Sequence, residues 1–248
     1  MTPILVAEGL TKRFGALTAV GDVSLDLRPG EVHALIGPNG AGKTTLMQLL
    51  SGLLLPDSGR ILFESAEITR ASPAARARAG LGRSFQITAV VAGFTALENA
   101  ALAAQVTAGS SFRFWRAAAR DMALTTAAMA ALEEVGLAPR AGVRAGDLSH
   151  GERRLLELAM VLAARPRALI LDEPMAGLGH AEGIALTGLL ARLKTRLPLL
   201  LVEHDMQAVF ALADRVSLLV EGRLVITDTP AAVRADAAAR AAYLGEEA

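Results

Sequence analysis

The chain has 248 residues, no cysteine, and 25 lysines plus arginines balanced by 25 aspartates plus glutamates. The zero net charge argues against a general nucleic-acid binder, and the missing thiols exclude disulfides, thiolate metal sites and cysteine nucleophiles. With 52% apolar and 20% charged residues, the chain can bury a sizeable core and is not disordered, yet no apolar run reaches the ~18–20 residues that span a bilayer.

In chain order, Met1-Thr2-Pro3-Ile4 lacks the basic-then-apolar pattern of a signal peptide. Apolar clusters at strand length predict strands over 4–8 and 22–27, and Arg28-Pro29-Gly30-Glu31 marks a turn. Val32 to Ile36 reads as a buried strand. Gly37 to Gly42 then turns into a helix from about Lys43 to Ser51. A turn at Pro56-Asp57-Ser58-Gly59 leads to a strand over 60–63, a short helix near Pro73 and a strand ending near Phe85. Residues 94 to about 165 are Ala-rich, helical in period and poor in strand runs, which predicts an inserted helical lobe that Pro166 closes. Beyond it follow a strand over 168–171, a helix over about 181–196, a strand over 198–202 and a helix after Asp205. Strands over 216–220 and 223–226 meet at Glu221-Gly222, a hairpin signal, and the tail over 231–244 is predicted helical.

Gly37-Pro38-Asn39-Gly40-Ala41-Gly42-Lys43-Thr44-Thr45 matches the phosphate-loop pattern G-x-x-x-x-G-K-[ST] in full, between a buried strand and a helix. Glycines let backbone N–H groups wrap phosphate oxygens. Lys43 can bridge the β- and γ-phosphates, and the Thr44 hydroxyl can bind Mg²⁺. Leu169-Ile170-Leu171-Asp172-Glu173 is an apolar strand ending in two carboxylates. A parallel strand delivers such groups to the edge where ligands bind, so Asp172 is expected to hold Mg²⁺ and Glu173 to polarise an attacking water. The plainer reading of such a pair, solvated acids at a strand end, loses weight beside a phosphate loop.

With Ser149-His150-Gly151-Glu152 opening a helix between these two motifs, the chain resembles the ATP-binding cassette family over essentially its whole length. That resemblance implies a P-loop NTPase (RecA-like) α/β core, an N-terminal antiparallel β subdomain and an inserted α-helical subdomain, together one domain over 1–248. Residues 1–92 and 166–248 form the core and 93–165 the helical part. The family's signature segment is usually Ser-Gly-Gly-Gln, and in one subunit it closes over the γ-phosphate held by another. Ser149 and Gly151 are its counterparts, while His150 and Glu152 depart from it. The plainer reading is a serine N-cap, and both roles use the same N–H groups. The resemblance further implies that Phe14 stacks on adenine, that Gln86 senses Mg²⁺ and the membrane partner, and that His204 is the switch histidine contacting the γ-phosphate. Gly179 stands where the family usually has an aspartate.

The expected machine is therefore an ATPase with ATP and Mg²⁺ as cofactors. It works as a homo- or heterodimer against membrane permease subunits, and so indirectly with a substrate-binding protein, at the cytoplasmic face of the membrane. Four of the seven phenylalanines (Phe85, Phe94, Phe112, Phe114) and the single Trp115 cluster between 85 and 115, which suggests either an apolar surface for the membrane subunit or a small lobe core. A finer resemblance, carried by Leu148 to Arg154, Asp172 to Leu178, Glu203 to Met206 and Ala242 to Glu246, points to ATPases of branched-chain amino-acid importers. Urea or amide importers, lipid transporters and soluble non-transport ATPases of the family are the alternatives. No appended regulatory domain and no nucleic-acid partner are expected.

Overall fold

The computed structural model describes residues 2–84, 90–108 and 122–241. The expectations placed on Phe85, Gln86, Phe112, Phe114, Trp115 and the tail beyond 241 lie outside them. The chain runs β1 (Leu5–Phe14), β2 (Leu17–Leu27), β3 (Val32–Ile36), α1 (Lys43–Ser51), β4 (Ser58–Phe63), β5 (Ala66–Glu67), α2 (Pro73–Arg78) and β6 (Leu81–Arg83). The helical stretch follows as α3 (Ala96–Ala108), α4 (Met122–Glu134) and α5 (His150–Ala163). Then come β7 (Ala168–Asp172), α6 (His180–Leu193), β8 (Leu199–Val202), α7 (Met206–Leu212), β9 (Arg215–Val220), β10 (Arg223–Asp228), α8 (Pro230–Ala235) and α9 (Ala237–Ala239).

Two sheets result. An antiparallel sheet has the order β2-β1-β4-β5, and a six-stranded sheet has the order β10-β9-β3-β8-β7-β6, parallel except for the β9–β10 hairpin. In the parallel sheet, successive side chains serve opposite layers. Ala168, Ile170, Leu200 and Val202 pack toward α1 and the antiparallel sheet. Leu169, Leu171, Leu199 and Leu201 pack in one continuous core with α3 to α6. Both faces are covered, which is why these strands read as unbroken apolar runs. The register pairs Leu35 and Asp172 each with Val202, so β3, β7 and β8 end side by side. The loop at Gly37, the acids at 172–173 and His204 leave the sheet at one edge.

The first two strands are longer than expected, because the β1–β2 pair is irregular: its register shifts at three places, and Gly9 and Asp22 take positive φ. Helix α6 stops at Leu193, and Lys194 turns to pair with Asp214 at 2.8 Å. The tail is not one helix: Asp236 leaves the helical region and caps α9 through Ala239 N–H.

Candidate ATP-binding and hydrolysis site

The phosphate loop is shaped by what its glycines avoid. A Cβ on Gly42 (φ 102°) would collide with the carbonyl oxygen of Ala19, and one on Gly37 (φ 153°) with that of Leu219. Gly42 is also the N-cap of α1 and supplies no side-chain cap. The first-turn N–H groups, which no preceding turn can satisfy, are left for an anion. Lys43 Nζ donates to the Gly37 and Pro38 carbonyls at 2.5 and 3.0 Å, which folds the ammonium back over the loop. Burial lowers its pKa, and the nearby Glu173 and Asp172 charges oppose that.

The cleft over this loop has a volume of about 650 Å³ and reaches from Asn39–Thr45 to Glu173 and Gly222, with Phe14 at its rim. That is the size of a nucleotide-scale pocket. Phe14 is 49% exposed, so it is not a buried core residue. Lys12 Nζ lies 5.8 Å from its ring centre.

Across the cleft, Asp172 is buried, and burial raises its pKa against the pull of Arg83, whose Nη2 stands 3.4 Å away. Glu173 takes a left-handed backbone conformation, φ 47°, and its carboxylate lies 3.8 Å from His204 Nδ1. The Glu173 N–H donates to Val202 O at 2.9 Å, stitching the two strand ends together. A second stitch is Glu203, buried beside His204: it accepts from Met175 N–H at 2.7 Å and His204 N–H at 3.2 Å. Burial raises the Glu203 pKa, and those backbone donors oppose the rise.

The Ser149 segment lies elsewhere; neither Ser149 nor Gly151 lines the cleft. Ser149 caps α5, accepting from Glu152 N–H at 3.1 Å, while Glu152 accepts from Ser149 N–H at 2.8 Å and pairs with Arg140 at 2.9 Å. Glutamate at 152 thus completes a reciprocal capping box. Gly151 leaves room for the Glu182 carboxylate, which a Cβ would strike, and His150 packs over Gly177. Gly179 caps α6 without a side chain; Glu182 answers its N–H at 3.0 Å.

The bond of Glu203 to Met175 and the approach of Glu182 to Gly151 have no motif to announce them, because these partners lie in another loop or on a neighbouring helix. The structure brings together the phosphate loop, Phe14 and Glu173, with His204 beside Glu173. It places Asp172 behind them on Arg83 and keeps Ser149 and Gly151 apart.

A family model for ABC transporters matches residues 20–176. The chain is 37% identical to the high-affinity branched-chain amino acid transport ATP-binding protein LivG of Escherichia coli K12, over 98% of both chains. It is 38% identical to BraF of Pseudomonas aeruginosa, described in the same words, again over 98% of both. Among solved structures, an ATP-binding cassette of an ABC transporter in its ADP conformation superposes with a TM-score of 0.88 at 29% identity, covering 99% of this chain and all of that one.

Proposed function

The chain belongs to the ABC transporter family, and from that premise we propose that it is the ATP-hydrolysing subunit of an importer for branched-chain amino acids. Similarity to LivG and BraF over nearly the full length supports the cargo class. The hydrolytic role rests on one observation: Glu173 faces the phosphate-loop cleft with His204 3.8 Å from its carboxylate.

The nucleotide enters the cleft with its adenine against Phe14 and its phosphates on backbone N–H groups of the loop, those of Asn39, Gly40 and Gly42 to Thr45 among them. Lys43 turns from the loop carbonyls to the β- and γ-phosphates. Glu173 accepts a proton from water positioned for in-line attack on the γ-phosphate, and His204 contacts the same phosphate. The cleft presents the Thr44 hydroxyl and the Glu173 carboxylate, with the Asp172 carboxylate behind them on Arg83, a set of oxygen donors. That suits Mg²⁺, which is held by one or two protein oxygens together with phosphates. Thr44, Asp172 and Gln86 would hold it, and its charge would offset that of the phosphates.

Ser149 and Gly151 complete the site of a second chain, so two copies, or this chain and a homologue, sandwich two nucleotides. An apolar groove of about 210 Å³ between the sheet edge and the helical lobe, floored by Leu53, Ala77, Ala103 and Met160, suits a helix of a membrane permease. No helix of the described residues is long and apolar enough to cross a membrane. We place the chain at the cytoplasmic face, held there by the permease, which in turn meets a substrate-binding protein.

Glu173→Gln tests the reading. Removing a general base costs about 10²–10⁴-fold in turnover, so kcat should fall by that much while ATP affinity persists and an ATP-bound dimer accumulates in sizing. Turnover at the normal rate would exclude Glu173 as the base.

A further inference from the structure

Glu173 carries a backbone conformation that an L-residue with a side chain resists: its φ is 47°. Left-handed geometry is sterically unfavourable for such a residue, and it persists only where neighbours over-determine it. The Glu173 N–H is held by Val202 O at 2.9 Å and its carbonyl by Ala176 N–H at 3.1 Å, and a further neighbour comes from the signature-bearing helix. Arg154, on α5, points its guanidinium at the turn after β7. Its Nη2 donates to Glu173 O at 2.6 Å and reaches Asp172 O at 3.4 Å, and its Nε donates to Pro174 O at 3.2 Å. Three successive carbonyls thus converge on one cation, and an arginine fork matches such an array where a point charge does not.

The fork is itself aimed. Glu157, one turn along α5, accepts from Arg154 Nη1 at 2.9 Å. Its side chain is 6% exposed, and its other oxygen, Oε1, is buried with no hydrogen-bond partner. Glu157 also lines the apolar groove at the lobe. One ion pair therefore touches both the groove and the turn that bears the base.

We propose that Arg154 is a positioning residue for hydrolysis, holding the Glu173 turn in its left-handed form from the signature helix, with Glu157 setting the angle of its guanidinium. The proposal rests on the reading of Glu173 as the base. It makes the catalytic competence of a chain depend on the seating of its own helix α5, in addition to the Ser149 segment that α5 offers to a partner. A shift of α5 by about 1 Å would loosen the carbonyl grip, and misplacement of that size can cost about 10²-fold in rate.

The test is a double-mutant cycle on the full chain, with ATP affinity, single-turnover hydrolysis and thermal midpoint measured for each variant. Arg154→Gln should lower the hydrolysis rate by about 10²-fold and leave ATP affinity within about twofold. Arg154→Lys should bind ATP normally and recover only part of the rate, since one ammonium cannot serve three carbonyls. In a Glu173→Gln background, Arg154→Gln should have almost no further effect, because residues that act as a unit are non-additive. An undiminished rate in Arg154→Gln, or an equal loss in the Glu173→Gln background, overturns the proposal. So do variants that unfold or lose ATP affinity in step with rate, for Arg154 is then structural. Normal hydrolysis by Glu173→Gln alone would instead remove the reading on which the proposal stands.

Discussion

In the proposed function two helix N-termini meet phosphate, and they are built in opposite ways. Helix α1 begins at a glycine with no side-chain cap; helix α5 begins at Ser149 and Glu152, which satisfy each other's N–H groups. An open terminus has donors and dipole ready for a phosphate. A capped one already spends donors internally and offers phosphate only what remains, or what a rearranged cap releases. On the function proposed above, the contrast assigns an order: the chain would hold nucleotide at α1 by itself, and α5 would engage afterwards, when a second chain brings a γ-phosphate to it.

The sharpest way to break this contrast is at α1. Gly42→Ala drives a Cβ into the Ala19 carbonyl at a φ of 102°, and overpacking of this kind costs about 1–3 kcal/mol or more. Nucleotide affinity, followed by fluorescence titration, should fall by about 10–100-fold; unchanged affinity would mean that the loop is not the phosphate cradle. At α5 the expected effect is smaller and of another kind. Ser149→Ala removes a cap worth about 1 kcal/mol, which a shift in the denaturant midpoint reports. Nucleotide affinity of the isolated chain should stay as it was, while ATP-driven dimer formation weakens. A loss of affinity in the isolated chain would erase the distinction between the two termini.

The smallest effect is with acid. The Ser149 N–H bond holds the Glu152 pKa below the ordinary glutamate value, and Arg140 adds to it. The folded pKa is depressed, so the cap's contribution is present above the unfolded value near 4.5 and fades as pH falls through the lower folded value. Amide exchange in the first turn of α5 should quicken over that range. Glu152→Gln should flatten the response, and a response that survives the substitution would place its origin elsewhere.

Those same contrasts show what the amino-acid sequence made legible. The phosphate loop, the Asp172-Glu173 strand end and the Ser149 segment each occupy fewer than about a dozen contiguous residues, where local pattern and chemistry coincide. Strands β3, β7 and β8 were equally plain because burial on both faces leaves unbroken apolar runs. The β1–β2 hairpin is legible only in part, since its register shifts and the positive φ of Asp22 break the alternation that marks a strand. The break in the tail is hidden in sequence because Asp236 caps α9 inside an alanine-rich run. What no local pattern discloses is the wiring behind the site. Arg154 reaches Glu173 across 19 residues and Glu203 reaches Met175 across 28, and such contacts exist only once β7, β8 and α5 have assembled. The departures at 150, 152 and 179 read in sequence as gaps in a pattern. In the structure they have occupations: His150 covers Gly177, Glu152 closes a cap, and the Gly179 N–H is answered by Glu182.

The continuous core shared by the helical lobe and the sheet has a mechanical meaning. Leu132 of α4 and Leu156 of α5 belong to the same apolar cluster as Leu171 and Leu201 of the parallel sheet. Protein interiors are nearly as dense as crystals and compress little. A load applied to the lobe is therefore carried into the sheet as a displacement of whole helices, as through a stiff lever, with little of it lost to local deformation along the way.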